Sequence, residues 1–308
     1  MYLVLGTAQL GLNHYGINNT TGQPTETESI NMIQKCLQNG VVHFDTAQAY
    51  GISETILGNY RTERREGSEL MQIATKLSPE ITTIHQVEES INLSRQKLGY
   101  IHEPLPMVYL HRSSQYSTDI WPYLVHLKKI GLIRELGISY QVMNAESMQK
   151  PELMPSLIDP NVSLIQVPFN ILDQRWDPIV TLAQMKRNFP LKVHVRSIYL
   201  QGLLLSNKSA LSVKVNSRVS INDLGYIYDN LDQLVEKYLF TTRRELCWSQ
   251  VINRPWIDGI IVGAEQWCQM EENIQLLHYM KSRHPADHFG SEIAKDVTIL
   301  DPSMWCDF

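Results

Sequence analysis

The sequence predicts an α/β fold, a closed (β/α)8 barrel of the TIM-barrel kind, on three observations. Short apolar runs alternate with longer helical patterns along the whole chain. Eight such runs can be counted, and several are almost continuous Val, Ile and Leu, as in strands covered on both faces of a parallel sheet. The 308 residues, 43% hydrophobic and 19% charged, suit one large domain with a full core, a size at which such barrels stay undivided. Residues 1–308 are therefore read as one barrel domain.

The first strand is expected at residues 3–6 and the second at 41–45. Between them, Thr25-Glu26-Thr27-Glu28 follows Pro24 with the spacing of a capping box, in which Thr accepts from a backbone N–H three residues on while Glu reaches back. Ile30, Ile33 and Leu37 then form an apolar stripe that Gly40 closes, as glycine does past a helix end. The third strand is expected at 71–76, followed by a stripe of Ile84, Val87, Ile91 and Leu98 closed by Gly99. Strands four to seven are expected at 107–111, 134–139, 163–167 and 192–197, and the eighth at 259–263, before a last stripe of Met270, Ile274 and Leu277. Eight β-then-α units imply a closed parallel barrel. Two stretches break the rhythm: a polar, irregular loop at about 201–223, and a tail from about 282 that carries His284, His288 and Trp305. Long loops and tails in this architecture build or cover the active-site mouth, and that is the expectation for both.

Composition excludes several classes. A formal charge of -5 gives no electrostatic footprint for nucleic acid. No run approaches the ~18 apolar residues of a membrane span. Met1-Tyr2-Leu3-Val4-Leu5-Gly6 has no basic leader and is too short an apolar run for a signal peptide, so a cytoplasmic location is expected. Cys36, Cys247, Cys268 and Cys306 lack metal-ligand spacing and are read as reduced thiols; no metal is expected. Trp121, Trp176, Trp248 and Trp256 lie in or beside helical patterns and are expected to pack in the outer layer.

The chemistry lies at the strand ends, which meet at one face of such a barrel. Asp45, Lys76 and His111 end the second, third and fourth strands, and Tyr50 lies in the loop just after Asp45. A tyrosine with its ordinary pKa of about 10 is a poor acid near neutrality. A lysine ammonium beside it favours the phenolate and is expected to lower that value. Aspartate keeps the lysine charged and fixed, and a neutral histidine can hold a substrate carbonyl. A carbonyl so held accepts a proton from Tyr50 while a hydride arrives, and hydride requires a cofactor such as a reduced nicotinamide. No GxGxxG fingerprint follows a strand, which argues against a Rossmann site. The run Gly259-Ile260-Ile261-Val262-Gly263-Ala264-Glu265 instead leads from a strand straight into a helix, where small residues let backbone N–H groups approach an anion. Plain strand–helix packing is the competing account of Gly263 and Ala264. His14 and Tyr15, in the loop after the first strand, are candidates for the pocket wall, and Arg112 is read as a surface ion-pairing group.

With these residues in place, the chain resembles the aldo-keto reductase family from Leu5-Gly6-Thr7-Ala8 to Met270-Glu271-Glu272-Asn273. The resemblance implies that Asp45, Tyr50, Lys76 and His111 are the catalytic tetrad. It implies that Ser139 and Gln166 hold the nicotinamide carboxamide, and that Glu272 and Asn273 contact adenine. Gly6, Thr7, Arg196, Ser197, Gln201, Gly263, Ala264, Glu265 and Gln269 complete the cofactor-binding set it implies. The chain departs from the family pattern at Tyr140, where Asn is common, and at Arg196, where an aromatic residue often stacks on the nicotinamide. The Lys and Arg that typically clamp a 2′-phosphate correspond to Gly263 and Gln269, and Glu265 adds negative charge nearby. A carboxylate repels a 2′-phosphate and accepts from a ribose hydroxyl, so within NAD(P)(H) the expectation leans to NAD(H). The implied function is interconversion of a carbonyl and an alcohol. The run Arg196-Ser197-Ile198-Tyr199-Leu200-Gln201-Gly202-Leu203 resembles a bacterial branch often found with surface-glycan enzymes, which points to a small sugar-derived aldehyde or ketone. A cofactor-sensing partner protein with little turnover, as in potassium-channel β subunits, and a redox-neutral sugar epimerase are the rival readings.

Overall fold

Eight parallel strands hydrogen-bond side by side and close on themselves in a computed structural model of the chain. It describes residues 1–17, 19, 21–117, 119–141, 155–206, 221–282 and 297–302. The strands are β1 (Tyr2–Gly6), β2 (His43–Asp45), β3 (Gln72–Lys76), β4 (Leu105–Leu110), β5 (Ile133–Ser139), β6 (Val162–Pro168), β7 (Lys192–Arg196) and β8 (Gly259–Gly263). Their order round the barrel follows the sequence, and β1 closes the ring by pairing with both β2 and β8. Gly6 stands opposite Asp45 on one side and Gly263 on the other. This register brings the ends of strands distant in sequence to one rim.

The strand bounds differ from the sequence reading for local reasons. β2 begins two residues late because the Val41 N–H turns back to the carbonyl of Cys36 and finishes the preceding helix, with Gly40 at φ +78°. β3 begins one residue late because the Met71 N–H closes the turn Ser68–Leu70. β7 ends at Arg196 because Ser197 has φ +63°, outside the β region. β4 ends one residue before His111.

The helical layer follows the apolar stripes. Thr25 and Glu28 form the capping box that opens the helix Glu26–Gln38, which buries Ile33 and Leu37. Thr83 and Gln86 do the same for Ile84–Lys97. There Val87, Ile91 and Leu98 are buried but Ile84 is exposed, since it stands in the first turn and off the inward face. Trp267–Ser282 buries Met270, Ile274 and Leu277. Trp121, Trp176, Trp248 and Trp256 are all buried.

At the start of the strands, the Tyr2 hydroxyl bonds His194 Nε2 at 2.8 Å and its ring stacks on His43 at 4.2 Å. At the other end, a second apolar cluster joins Ile17, Leu200, Leu203, Leu204, Leu224, Tyr228, Leu246, Ile299 and Leu300. The stretch read as irregular at 201–223 begins with Gln201 and Gly202 at positive φ, within the kinked turn Leu200–Leu205, and ends in the first residues of the helix Ile221–Lys237. Of the tail, Ile299 and Leu300 are packed in this cluster. The remainder of the loop (207–220) and of the tail (283–296 and 303–308), with His284, His288, Trp305 and Cys306, lies outside the described residues. Among the described residues, no helix is long and apolar enough to cross a membrane, and no group of three or more His, Cys, Asp or Glu side chains could hold a metal ion.

Candidate active site

Asp45 ends β2, and the chain then makes a short turn in which the Tyr50 N–H bonds the Ala47 carbonyl and the Tyr50 carbonyl accepts from the Ser53 N–H. Two glycines fix this loop. A Cβ added at Gly11 would lie 1.9 Å from the Tyr50 carbonyl oxygen, and one at Gly51, which has φ +53°, would lie 2.1 Å from the Gly11 carbonyl oxygen. The closest atoms on both sides are backbone, so the helix Ala8–Gly11 sets the position of Tyr50 directly. Gly11→Ala is therefore expected to push Tyr50 out of place. Overpacking of this kind costs ~1–3 kcal/mol, so both the urea midpoint and kcat should fall; unchanged values for both would show that the loop absorbs a methyl group freely.

Lys76 projects from the end of β3 into the gap between Asp45 and Tyr50. Its Nζ donates to Asp45 Oδ2 at 2.6 Å, to the Thr46 carbonyl at 3.1 Å and to the Tyr50 hydroxyl at 3.3 Å. The other carboxylate oxygen of Asp45 accepts from Gln166 Nε2 at 2.8 Å, across the barrel from β6. Ser139 Oγ donates to Gln166 Oε1 at 3.4 Å, extending the network to β5. The His111 ring stands edge-on to Tyr50, with centroids 6.1 Å apart. Asp45, Tyr50, Lys76 and His111 thus converge in space.

The electrostatics depart from the sequence expectation in one respect. The Tyr50 pKa is raised, not lowered. Burial is the first cause and the Asp45 charge the second, while Arg196 opposes both. The Lys76 ammonium touches the phenol, but its own charge is answered by Asp45 at closer range. Burial lowers the Lys76 pKa, against the opposing pull of Asp45. His111 is held down to about 3 by burial and by the Lys76, Arg196 and Arg112 charges, so the ring is neutral near pH 7. His194 is held to about 3 as well, chiefly by burial. Both groups have an ordinary value of 6.5, so between about 6.5 and 3 the unfolded chain binds more protons than the folded one. Stability from these imidazoles is complete above about pH 6.5 and is lost as the pH falls towards 3. The urea midpoint is expected to decline steadily from pH 6.5 to pH 4; a flat midpoint would contradict the buried, neutral state of both rings.

Beside Tyr50 opens a cavity of about 390 Å3, the size of a small-molecule site. Its wall carries Asp45, Tyr50, Tyr15, Gln166 and Arg196, and also Gly263, Glu265, Gln269, Asn273 and Arg244. Gly6, Ser197 and Gln201 also line it. The Arg196 guanidinium donates to the Tyr140 carbonyl at 2.9 Å and to Ser197 Oγ at 3.3 Å. Tyr15 faces the cavity whereas His14 and Arg112 are exposed.

Four predicted cofactor residues do not form the wall. The Thr7 hydroxyl donates to the Asp45 carbonyl and accepts from Ser53 Oγ, so it is used inside the barrel rim. Ser139 and Ala264 are buried behind the surface. Glu272 pairs with Arg244 at 3.2 Å. Conversely, the sequence reading missed Gln9, Tyr199 and Arg244. Gln9 lies three residues past the end of β1, and its place after a strand end was the available signal; nothing in the spacing singles out Arg244, which the helix Arg243–Ile252 presents.

The cavity has features that suit a dinucleotide. Gln9 Oε1 and Gln201 Oε1 are buried on its wall without a hydrogen-bond partner among the described residues, and such acceptors are costly unless a ligand meets them. A Cβ at Gly263 would lie 2.1 Å from Gln9 Oε1, so the Gln9 side chain lies directly against the Gly263 backbone.

A model of the Aldo/keto reductase family matches residues 2–284. Curated relatives include an aldo-keto reductase of Mycolicibacterium vanbaalenii, 20% identical over 236 residues (69% of this chain, 84% of the relative). Methylglyoxal reductase DkgA of Escherichia coli O157:H7 is 22% identical over 246 residues (70% of this chain, 86% of the relative). Among solved structures, the holo form of aldo-keto reductase AKR11C1 from Bacillus halodurans superposes with a TM-score of 0.65 at 20% identity, covering 97% of this chain and 91% of that one.

Proposed function

The chain belongs to the aldo/keto reductase family of NAD(P)-dependent oxidoreductases, and on that premise we propose that it reduces a small aldehyde or ketone with Tyr50 as the general acid. The observation that carries this reading is the Lys76 ammonium bonded at once to Asp45 and to the Tyr50 hydroxyl, at the wall of the cavity. The Tyr50 oxygen accepts from Lys76, which leaves its own O–H free to donate to a substrate oxygen. His111, neutral and beside Tyr50, orients that oxygen. Gln166 and Asp45 keep Lys76 from swinging into the cavity. A reduced nicotinamide, when bound, supplies the hydride that none of these side chains can give. Gln9 and Gln201, whose buried Oε1 atoms have no partner among the described residues, would hold the dinucleotide through its polar groups. Glu265 on the wall, with Gly263 and Gln269 where cations typically clamp a 2′-phosphate, supports NAD(H) as the preferred form. Methylglyoxal reductase among the relatives supports a short carbonyl compound as substrate class, and sugar-derived aldehydes remain in that class.

A panel of small aldehydes and sugars, followed at the reduced-nicotinamide absorbance, tests the reading. Net consumption with at least one carbonyl compound is expected. Product without net consumption would favour an epimerase, and binding without either would favour a cofactor-sensing partner; both outcomes would overturn the reductase.

A further inference from the structure

Arg196 and Arg244 are the two cations on the cavity wall among the described residues. Arg196 stands with Tyr50 and Gln166, on the reacting side. Arg244 lies over Tyr199, whose hydroxyl meets Asn273, and pairs with Glu272, and so would face the nucleotide if the reactive ring lies at Tyr50. Its setting is built rather than incidental. The guanidinium lies 5.3 Å over the Tyr199 ring, a cation–π arrangement that favours a flat guanidinium. The Tyr199 hydroxyl accepts from Trp248 Nε1 at 2.6 Å and donates to Asn273 Oδ1, and Asn273 Nδ2 donates to the Gln269 carbonyl at 2.7 Å. Trp248 and Asn273 are buried. Arg244 therefore rests on a platform fixed from three elements.

A platform of this kind would serve a phosphate, because an arginine fork matches its oxygens in pairs. One carboxylate already meets the fork: Glu272 Oε2 lies 3.2 Å from Arg244 Nη2. We propose that Glu272 is an internal stand-in for the 2′-phosphate of NADP(H), occupying Arg244, and that this ion pair sets the choice of NAD(H). The inference rests on the reading that the cavity takes a nicotinamide dinucleotide. A 2′-phosphate carries about −1.5 to −2 charges. To reach Arg244 it must compete with Glu272 for the guanidinium and remain close to that carboxylate. A ribose hydroxyl is neutral, leaves the pair intact and can donate to Glu265 on the wall. Arg244 is therefore a latent phosphate anchor and Glu272 the positioning residue that masks it.

Dissociation constants for NADH and NADPH, read by quenching of tryptophan fluorescence, test this in the wild type, Glu272→Gln, Arg244→Gln and the double variant. The wild type is expected to bind NADH more tightly. Glu272→Gln should shift the NADPH/NADH affinity ratio at least ~10-fold towards NADPH, a change of about 1.4 kcal/mol. In the Arg244→Gln background the same substitution should shift it less than ~3-fold. That coupling separates unmasking of Arg244 from mere removal of a negative charge. An equal shift in both backgrounds, no shift in either, or a wild type that already prefers NADPH would overturn the proposal while leaving the reductase reading standing. If the wild type bound neither dinucleotide, the reductase reading would fall first and this inference with it. Glu272 is exposed, so the Gln variant should fold; competition by 2′,5′-ADP against 5′-AMP, without the nicotinamide half, gives a second readout on the same four proteins.

Discussion

Tyr50→Phe is expected to lower kcat for carbonyl reduction by a factor of about 10²–10⁴, the range that a positioned general acid contributes. The substitution removes one oxygen and keeps the ring beside His111. Lys76 retains Asp45 and the Thr46 carbonyl as acceptors, so the fold and the cavity should persist. Cofactor affinity and the urea midpoint should stay close to wild type. The measurement is steady-state kinetics together with fluorescence titration of the reduced cofactor. A variant that folds, binds cofactor and turns over at the wild-type rate would remove Tyr50 from the chemistry. The pH dependence offers a second view: with the Tyr50 pKa raised above its ordinary value of 10.0, the acid form should persist across the neutral range, and reduction by the wild type should show no loss from Tyr50 ionisation below about pH 10.

Lys76→Met should have the largest effect on stability. Lys76 is 1% exposed and Asp45 4%, and their 2.6 Å contact is the closest that either makes in the site. Loss of the ammonium strands a buried carboxylate with Gln166 as its remaining side-chain donor. Breaking a buried pair from one side typically costs ~3–5 kcal/mol, because the surviving charge is uncompensated. The urea midpoint should therefore fall sharply, and kcat with it. Adding Asp45→Asn to Lys76→Met removes the stranded charge and should recover part of the midpoint without recovering activity. A single variant as stable as wild type would mean that the pair is better solvated than its burial implies.

The fold was legible because burial on both faces writes strands as unbroken apolar runs, as in Ile260-Ile261-Val262 and Leu164-Ile165. Helix starts were legible where side chains cap them, as at Thr25 and Glu28. Asp45, Tyr50, Lys76 and His111 could be grouped because strand order fixes which ends share a rim. What the sequence concealed depends on distances through space. Gln166 reaches Asp45 over 121 positions of chain while also lining the cavity, and nothing in the local sequence marks that bond. Arg244 sits in a helix with no local mark of the cavity it faces. The direction of the Tyr50 pKa shift was also hidden, since adjacency to a lysine predicts one sign and the extent of burial decides the other.

The ammonium of Lys76 has three N–H bonds, and all three are taken: by a carboxylate, a peptide oxygen and the phenol. It has none left to extend towards a guest molecule. On the proposed reading, its influence on turnover is exerted at one remove, as a fixed field and a hinge-pin for the aromatic ring, while the proton, as distinct from the hydride, comes from the Tyr50 oxygen. A donor that recharged Tyr50 in such a cycle would approach the hydroxyl from the side away from Lys76.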